Sequence, residues 1–342
     1  MSAERLRVAV VGAGHVGKMH IRVVGECDAT TLSAVVDPDP GAETSAYAAR
    51  ARWFRSVDEL LGEEPPDAAI VAVPTEEHRA VAEPLLRAGI PVLVEKPIAE
   101  SVDAANSLIE AAREGGAALA VGHVERFNPA VQALQEKLDG GALGRVFQIR
   151  TTRLSPFPIR VGDAGVAMDL ATHDLDLMCE LAGRPLRVSA ESDRKAHRSH
   201  EDLLAALLRF DSGIIGLLEV NWLTPDKVRQ LTVTGERGMF IVDYLNQHLT
   251  LYENAQATEA WETIAIFEGV TEGNVTRFAI SRTEPLRAQL DAFVSAVRGD
   301  APVVVTGDDG VRAVRLALAA AEAGRTGRGV EIDDDAAGSD SG

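Results

Sequence analysis

Five runs that are apolar at nearly every position divide the first 122 residues of this chain: "RVAVV" (7–11), "LSAVV" (32–36), "AAIVAV" (68–73), "PVLVE" (91–95) and "AALAV" (117–121). Between them stand stretches with helical spacing of apolar residues, among them "EEHRAVAEPLLRAG" and "SVDAANSLIEAAREGG", the second opening on Ser101 as an N-cap. A strand with one solvated face alternates apolar and polar residues, whereas a strand that is apolar throughout must be covered on both faces. Such strands joined by helices predict an α/β fold, a parallel sheet between two helical layers.

The first run leads into "VVGAGHVGKMH" (10–20), which holds Gly12-x-Gly14-x-x-Gly17 at the mouth of a helical stretch. In that setting Gly12 permits a tight turn, Gly14 lets the backbone approach a pyrophosphate, and Gly17 allows close packing of helix on strand. His15 and Val16 lie between the second and third glycines. There the helix N-terminus offers unpaired N–H groups and a positive dipole end to phosphates. Asp37 closes the second run at the distance, roughly 20 residues, where an acidic group bonds the ribose hydroxyls of a dinucleotide. Its charge also repels a 2′-phosphate, so NAD is expected rather than NADP. Ligands of open parallel sheets bind at the carboxyl ends of the strands. Pro74, Thr75 and His78 after "AAIVAV", and Glu95 and Lys96 at the end of "PVLVEK", therefore stand at the edge where a cofactor binds, with Lys96 read either as a solvated charge or as a group facing the nicotinamide ring.

After Gly122 the pattern changes. "NPAVQALQEKLDGG" reads as a helix and "RVFQIRTTRL" as a strand of mixed polarity. "GVAMDLATHDLDLMCELAG" reads as a second helix, with Gly183 just past its end. Short strands split by turn signals run from Arg187 to about Ile266, which favours a largely antiparallel sheet. Two late helices follow, and then the polar tail "DDDAAGSDSG". The expected organisation is a dinucleotide-binding domain over 1–122, an α+β domain with an open sheet over 123–332, and a disordered tail over 333–342. A length of 342 residues suits two domains, and a net charge of −18 argues against nucleic acid as a partner. Cys27 and Cys179 are the only cysteines, too few for a disulfide framework and without metal-site spacing. No run is long and apolar enough to span a bilayer and no signal peptide is recognisable, so a cytoplasmic protein is expected.

In "GVAMDLATHDLDLM" Asp169 and His173 are four residues apart, on one helical face, with Asp176 one turn beyond. Leu170, Leu177 and Leu181 form an adjacent apolar stripe. The polar group reads either as a solvated face or as a tuned base, since a neighbouring carboxylate raises a histidine's pKa and orients its ring. "QIRTTRLSPFPIR" brings Arg150, Arg153 and Arg160 close in sequence. Arg150 and Arg153 point to opposite faces of an extended strand. Arg153 and Arg160 are the better candidates to converge on a diphosphate, the alternative being that all three are solvated charges.

Taken together, "VVGAGHVGKMH", "VPTEEH", "VEKPIA", "GHVERFNPA" and "MDLATHDLD" resemble the Gfo/Idh/MocA family of NAD(P)-dependent sugar and polyol oxidoreductases. The resemblance implies that Lys96 is the lysine of the family's Glu-Lys-Pro motif, near the reacting carbon, with the Lys96–Pro97 bond cis. It assigns Asp169 and His173 to the family's Asp-x-x-x-His pair. It places Arg126 at the cofactor and Asn128 at the substrate. It further implies a homodimer or homotetramer built on the open sheet. The implied reaction is hydride transfer between NAD and a secondary alcohol of a sugar ring, with the 3-hydroxyl of UDP-N-acetylglucosamine as the expected substrate. A free polyol of the inositol type and a non-catalytic nucleotide sensor are the alternatives.

Overall fold

The computed structural model describes residues 4–158, 164–196, 199–254 and 272–332. Arg160 and the expected disordered tail lie outside the described residues. The chain forms two compact units, Met1–Phe127 with Thr283–Arg315, and Asn128–Arg282 with Leu316–Gly342. Expectation put a single boundary near 122, so the return of the chain to its first unit is a difference. The helix Pro285–Val297 explains it: its Leu290, Phe293 and Val294 complete one buried cluster with Val8, Val10, Ile70 and Leu93. An apolar helical face shows that a helix packs, but not which core receives it.

The first unit holds a six-stranded sheet. Its strands are β1 (Leu6–Val11), β2 (Thr30–Val36), β3 (Arg52–Phe54), β4 (Ala68–Val71), β5 (Val92–Glu95) and β6 (Leu119–Gly122). They lie in the order β3-β2-β1-β4-β5-β6, every pair parallel. The strand order reverses beside β1, the switch point at which doubly wound sheets open a binding crevice. Helix α1 (His15–Glu26) leaves β1 through the glycine loop, and α4 (His78–Arg87) follows β4. Strand β3 was not among the expected runs. It has three residues, sits at the sheet edge and begins on exposed Arg52, so it lacks the apolar signature of a central strand.

The second unit is built on a nine-stranded sheet. In chain order it contains β7 (Val146–Leu154), β8 (Pro185–Asp193), β9 (Leu203–Phe210), β10 (Ile215–Asn221), β11 (Val228–Gly235), β12 (Gly238–Asp243), β13 (His248–Asn254), β14 (Glu272–Phe278) and β15 (Val330–Glu331). Among the described strands of this sheet only β7 and β10 pair in parallel; the other ladders are antiparallel. Ile149, Leu208, Leu218, Val233 and Phe240 pack into one core with Leu134 of α6 (Pro129–Asp139) and Leu175 and Met178 of α7 (Thr172–Ala182). On the opposite face Arg150, Ala205 and Leu207 are exposed.

Candidate active site

All six strands of the first sheet run the same way, so their carboxyl ends share one edge. The glycine loop, Asp37, Pro74–Thr75 and Lys96 all emerge there. The three glycines differ in what surrounds them. Gly12 has φ +94°, and a Cβ there would stand 2.5 Å from the Ala72 carbonyl oxygen. At Gly17 a Cβ would meet the Gly12 carbonyl oxygen at 1.9 Å, whereas at Gly14 it would have nothing within 4 Å. Gly14, His15 and Val16 are exposed between buried flanks. No side chain caps α1 and its first turn has no acidic residue, so its positive end is left for an anion. These residues fit the pyrophosphate of a dinucleotide.

Asp37 closes the loop from the other side. Its Oδ2 accepts from the Ala13 N–H at 2.7 Å and its Oδ1 from the Asp39 N–H at 2.9 Å. Each oxygen keeps lone-pair capacity for a ribose hydroxyl.

The Lys96–Pro97 bond is cis. Lys96 is half-buried at the end of β5, and its N–H donates to Glu95 Oε2 at 3.2 Å. Glu95 Oε1 lies 2.7 Å from Nε2 of buried His20. Burial alone would push the Glu95 carboxyl up. The hydrogen bond and charge of His20, with the charge of Lys96, outweigh it and hold the pKa below the ordinary range. His78 is buried, with Nδ1 2.9 Å from the Pro97 carbonyl oxygen and Nε2 3.0 Å from that of Val73. Burial pulls its pKa down, against the opposing pull of those carbonyls. Arg126 is buried too, and pairs with Asp309 at 3.2 Å. Burial would raise the Asp309 pKa; the Arg126 charge and the Thr306 hydrogen bonds lower it overall.

In the second unit a π-helical turn, Ala167–Ala171, leads into α7. Between Val166 and Cys179 only Met168, Asp169 and His173 are partly exposed. The pair expected to share a face is therefore what this otherwise buried segment presents. π-turns of this kind recur at functional sites. Asp176, expected on the same polar face, is instead 1% exposed, because the helix is covered all round from Asp174 to Cys179. Glu201 holds the start of the segment, its carbonyl accepting from Val166 N–H at 3.1 Å and its Oε1 from Ala167 N–H at 3.0 Å.

Two expected ligand contacts are engaged within the protein. Arg153 is 4% exposed and donates to both oxygens of fully buried Asp174, from Nε at 2.6 Å and from a terminal nitrogen at 3.2 Å. It is a buried structural cation rather than a solvent-facing one. Arg150 points to the other face and is exposed, as the alternation of the strand requires. Asn128 is the N-cap of α6, accepting from Ala130 N–H at 3.1 Å while its amide donates to the Tyr244 carbonyl at 3.1 Å. Glu201, Asp174, Asp309 and His20 had no place in the expected site.

A parallel sheet with this order and this glycine loop defines a dinucleotide-binding Rossmann domain, and residues 6–123 match a family described as an oxidoreductase family with an NAD-binding Rossmann fold. Residues 131–241 match the GFO/IDH/MocA C-terminal domain. The chain belongs to the Gfo/Idh/MocA family of oxidoreductases. It is 31% identical to the UDP-N-acetylglucosamine 3-dehydrogenase of Acidithiobacillus ferrooxidans, over 92% of this chain and 95% of that one. A solved structure of that enzyme superposes with a TM-score of 0.81, covering 94% of this chain and 98% of the other. The inositol 2-dehydrogenase of Rhizobium meliloti is 27% identical, with 92% of this chain and 96% of that protein covered. The WlbA dehydrogenase of Bordetella pertussis, solved with NADH and UDP-GlcNAcA, shares the fold at a TM-score of 0.80 and 24% identity, with 96% and 99% covered. No described helix is long and apolar enough to cross a membrane.

Proposed function

We propose that the protein is an NAD-dependent dehydrogenase oxidising a secondary alcohol of a sugar nucleotide, the 3-hydroxyl of UDP-N-acetylglucosamine. The observation that carries this reading is the partial exposure of Asp169 and His173 in a stretch, Val166 to Cys179, that is otherwise open only at Met168. A segment that served packing alone would have no use for an ionisable pair among its few open positions. His173 takes the proton of the reacting hydroxyl, and Asp169 orients the ring and stabilises its charged form. Lys96 donates to the oxygen on which negative charge develops, where a fixed positive charge counts most. Gly12, Gly14, His15, Val16 and Gly17 receive the pyrophosphate, Asp37 the ribose, and Pro74 and Thr75 border the nicotinamide side. NAD, when bound, accepts the hydride.

His78 and Arg126 serve this site from behind, since the polar atoms described for them face protein groups. With Arg153 paired to Asp174, the diphosphate is left to other donors. The chain works as a homodimer or homotetramer through the open face of the second sheet. A groove of about 580 Å³ runs there past Ala205, Leu207 and Leu217, and Leu207 is 48% exposed. Purified protein with NAD should reduce the cofactor, read by absorbance, with UDP-N-acetylglucosamine and far less with free N-acetylglucosamine or inositol. Turnover of inositol alone makes it a polyol dehydrogenase, and turnover of none of the sugars leaves the non-catalytic sensor. Light scattering giving a monomer mass removes the oligomer.

A further inference from the structure

The segment bearing Lys96 is held on both sides by buried histidines that belong to different helices. On one side His20, 2% exposed on α1, meets Glu95 Oε1 at 2.7 Å, and the other oxygen of Glu95 accepts from the Lys96 N–H at 3.2 Å. The carboxylate fits because residue 122 is glycine: a Cβ there would stand 3.0 Å from its atoms. On the other side His78, 1% exposed at the start of α4, has Nδ1 2.9 Å from the Pro97 carbonyl oxygen and 3.3 Å from that of Ile98. Its Nε2 is 3.0 Å from the Val73 carbonyl oxygen. Backbone is thus anchored just before and just after the lysine. Neither ring can be replaced by an apolar residue without leaving a buried polar group unsatisfied.

We propose that His20 and His78 are positioning residues that jointly fix the Lys96 segment and so set where the lysine amine reaches. A lysine side chain has a flexible four-carbon stem, so its amine is aimed only if the backbone beneath it is immobile. In the neutral ring of His78 one nitrogen donates. With the N–H on Nδ1, which has two carbonyl oxygens in reach against one for Nε2, the ring donates to the Pro97 side and Nε2 meets the Val73 carbonyl oxygen without a hydrogen bond. The inference deepens the proposed function, resting on Lys96 as the group that acts on the substrate alcohol.

Crossed amide substitutions test it. Asparagine places a donor where histidine has Nδ1, and glutamine where it has Nε2. His78→Asn therefore keeps the bond to Pro97 and His78→Gln loses it; His20→Gln keeps the bond to Glu95 and His20→Asn loses it. The intact enzyme is labelled with limiting acetic anhydride, and acetylation of each lysine is counted by mass spectrometry, with Lys137 of the second unit as internal standard. His78→Gln and His20→Asn should each change Lys96 labelling by about threefold or more, the range for residues coupled by direct contact, while the rescuing amides stay at the wild-type rate. In the same variants kcat for UDP-N-acetylglucosamine should follow the labelling, with the Kd for NADH unchanged. Equal Lys96 labelling in all four variants overturns the inference whatever the turnover. So does loss of the fold, by circular dichroism, in both amides at one position. Wild-type kcat in Lys96→Met instead overturns the catalytic reading and leaves the labelling result to stand.

Discussion

The two units deliver their candidate residues in opposite ways. In the first, every strand of a parallel sheet ends at one edge, so residues from four separate loops arrive together: Gly14, Asp37, Thr75 and Lys96. In the second, one helical segment brings both Asp169 and His173, and the sheet beneath it holds that segment in place. Arg153 reaches up from β7 to Asp174, and Glu201, just before β9, caps the segment's start. The difference teaches where each site is vulnerable. The first is assembled from many loops and fails one contact at a time, whereas the second depends on the seating of a single helix.

The largest effects should come from the chemical groups themselves. General acid–base groups contribute about 10²–10⁴-fold. Lys96→Met and His173→Ala should each lower kcat by that order, with the Kd for NADH nearly unchanged by fluorescence titration. A variant with near-normal turnover removes its residue from the chemistry.

The comparison sharpens at Arg153. Removing one partner of a buried ion pair leaves an uncompensated charge, at a cost of about 3–5 kcal/mol. Arg153→Met should therefore lower unfolding stability by that order in urea titration, because the fully buried Asp174 carboxylate loses the guanidinium it is paired with. The double variant with Asp174→Leu should recover much of the loss. A diphosphate ligand would behave otherwise: KM for the sugar nucleotide would rise and stability would hold. That second outcome would return Arg153 to the substrate.

What could be read in the sequence follows the same division. The glycine loop, Asp37 and the loops after β4 and β5 were legible because a parallel sheet converts a strand's last residue into a site position. The Asp169–His173 face was legible because both residues lie on one local helical period. Arg153–Asp174 and Glu201–Ala167 were not, since they join elements 21 and 34 residues apart whose register only the folded sheet decides. His20 and His78 lie between. His20 is in phase with buried Gly17, Ile21 and Val24, and His78 with Ala82, Leu85 and Leu86. A histidine on an apolar helical face must find a partner, so burial was foreseeable although Glu95 and Pro97 as partners were not.

Within the first unit, the glycines separate folding from binding. A Cβ at position 17 collides with backbone rather than with a movable side chain, so Gly17→Ala should destabilise the protein by about 1–3 kcal/mol, as overpacking does. Gly14→Ala meets open space and should leave the urea midpoint unchanged while weakening NADH binding by about tenfold, roughly 1.4 kcal/mol. Unaltered NADH affinity in Gly14→Ala would mean that the cofactor does not approach this backbone.

An effect no larger than that concerns Asp37, which has two tasks that substitutions can part. Its Oδ2 tethers the glycine loop through Ala13, and its charge is proposed to choose between NAD and NADP. Asp37→Asn keeps an oxygen able to accept from the Ala13 N–H and removes the charge. Asp37→Ser removes the charge and shortens the side chain, so the tether is lost as well. If charge sets the preference, both variants should shift the ratio of kcat/KM for NADP over NAD upward by about tenfold, near 1.4 kcal/mol. Only the serine variant should also weaken the loop, seen as lower affinity for both cofactors and faster amide exchange at Ala13. A ratio unchanged in Asp37→Asn but shifted in Asp37→Ser would assign the preference to the shape of the loop. A wild-type enzyme already favouring NADP by about tenfold would remove Asp37 from the choice altogether.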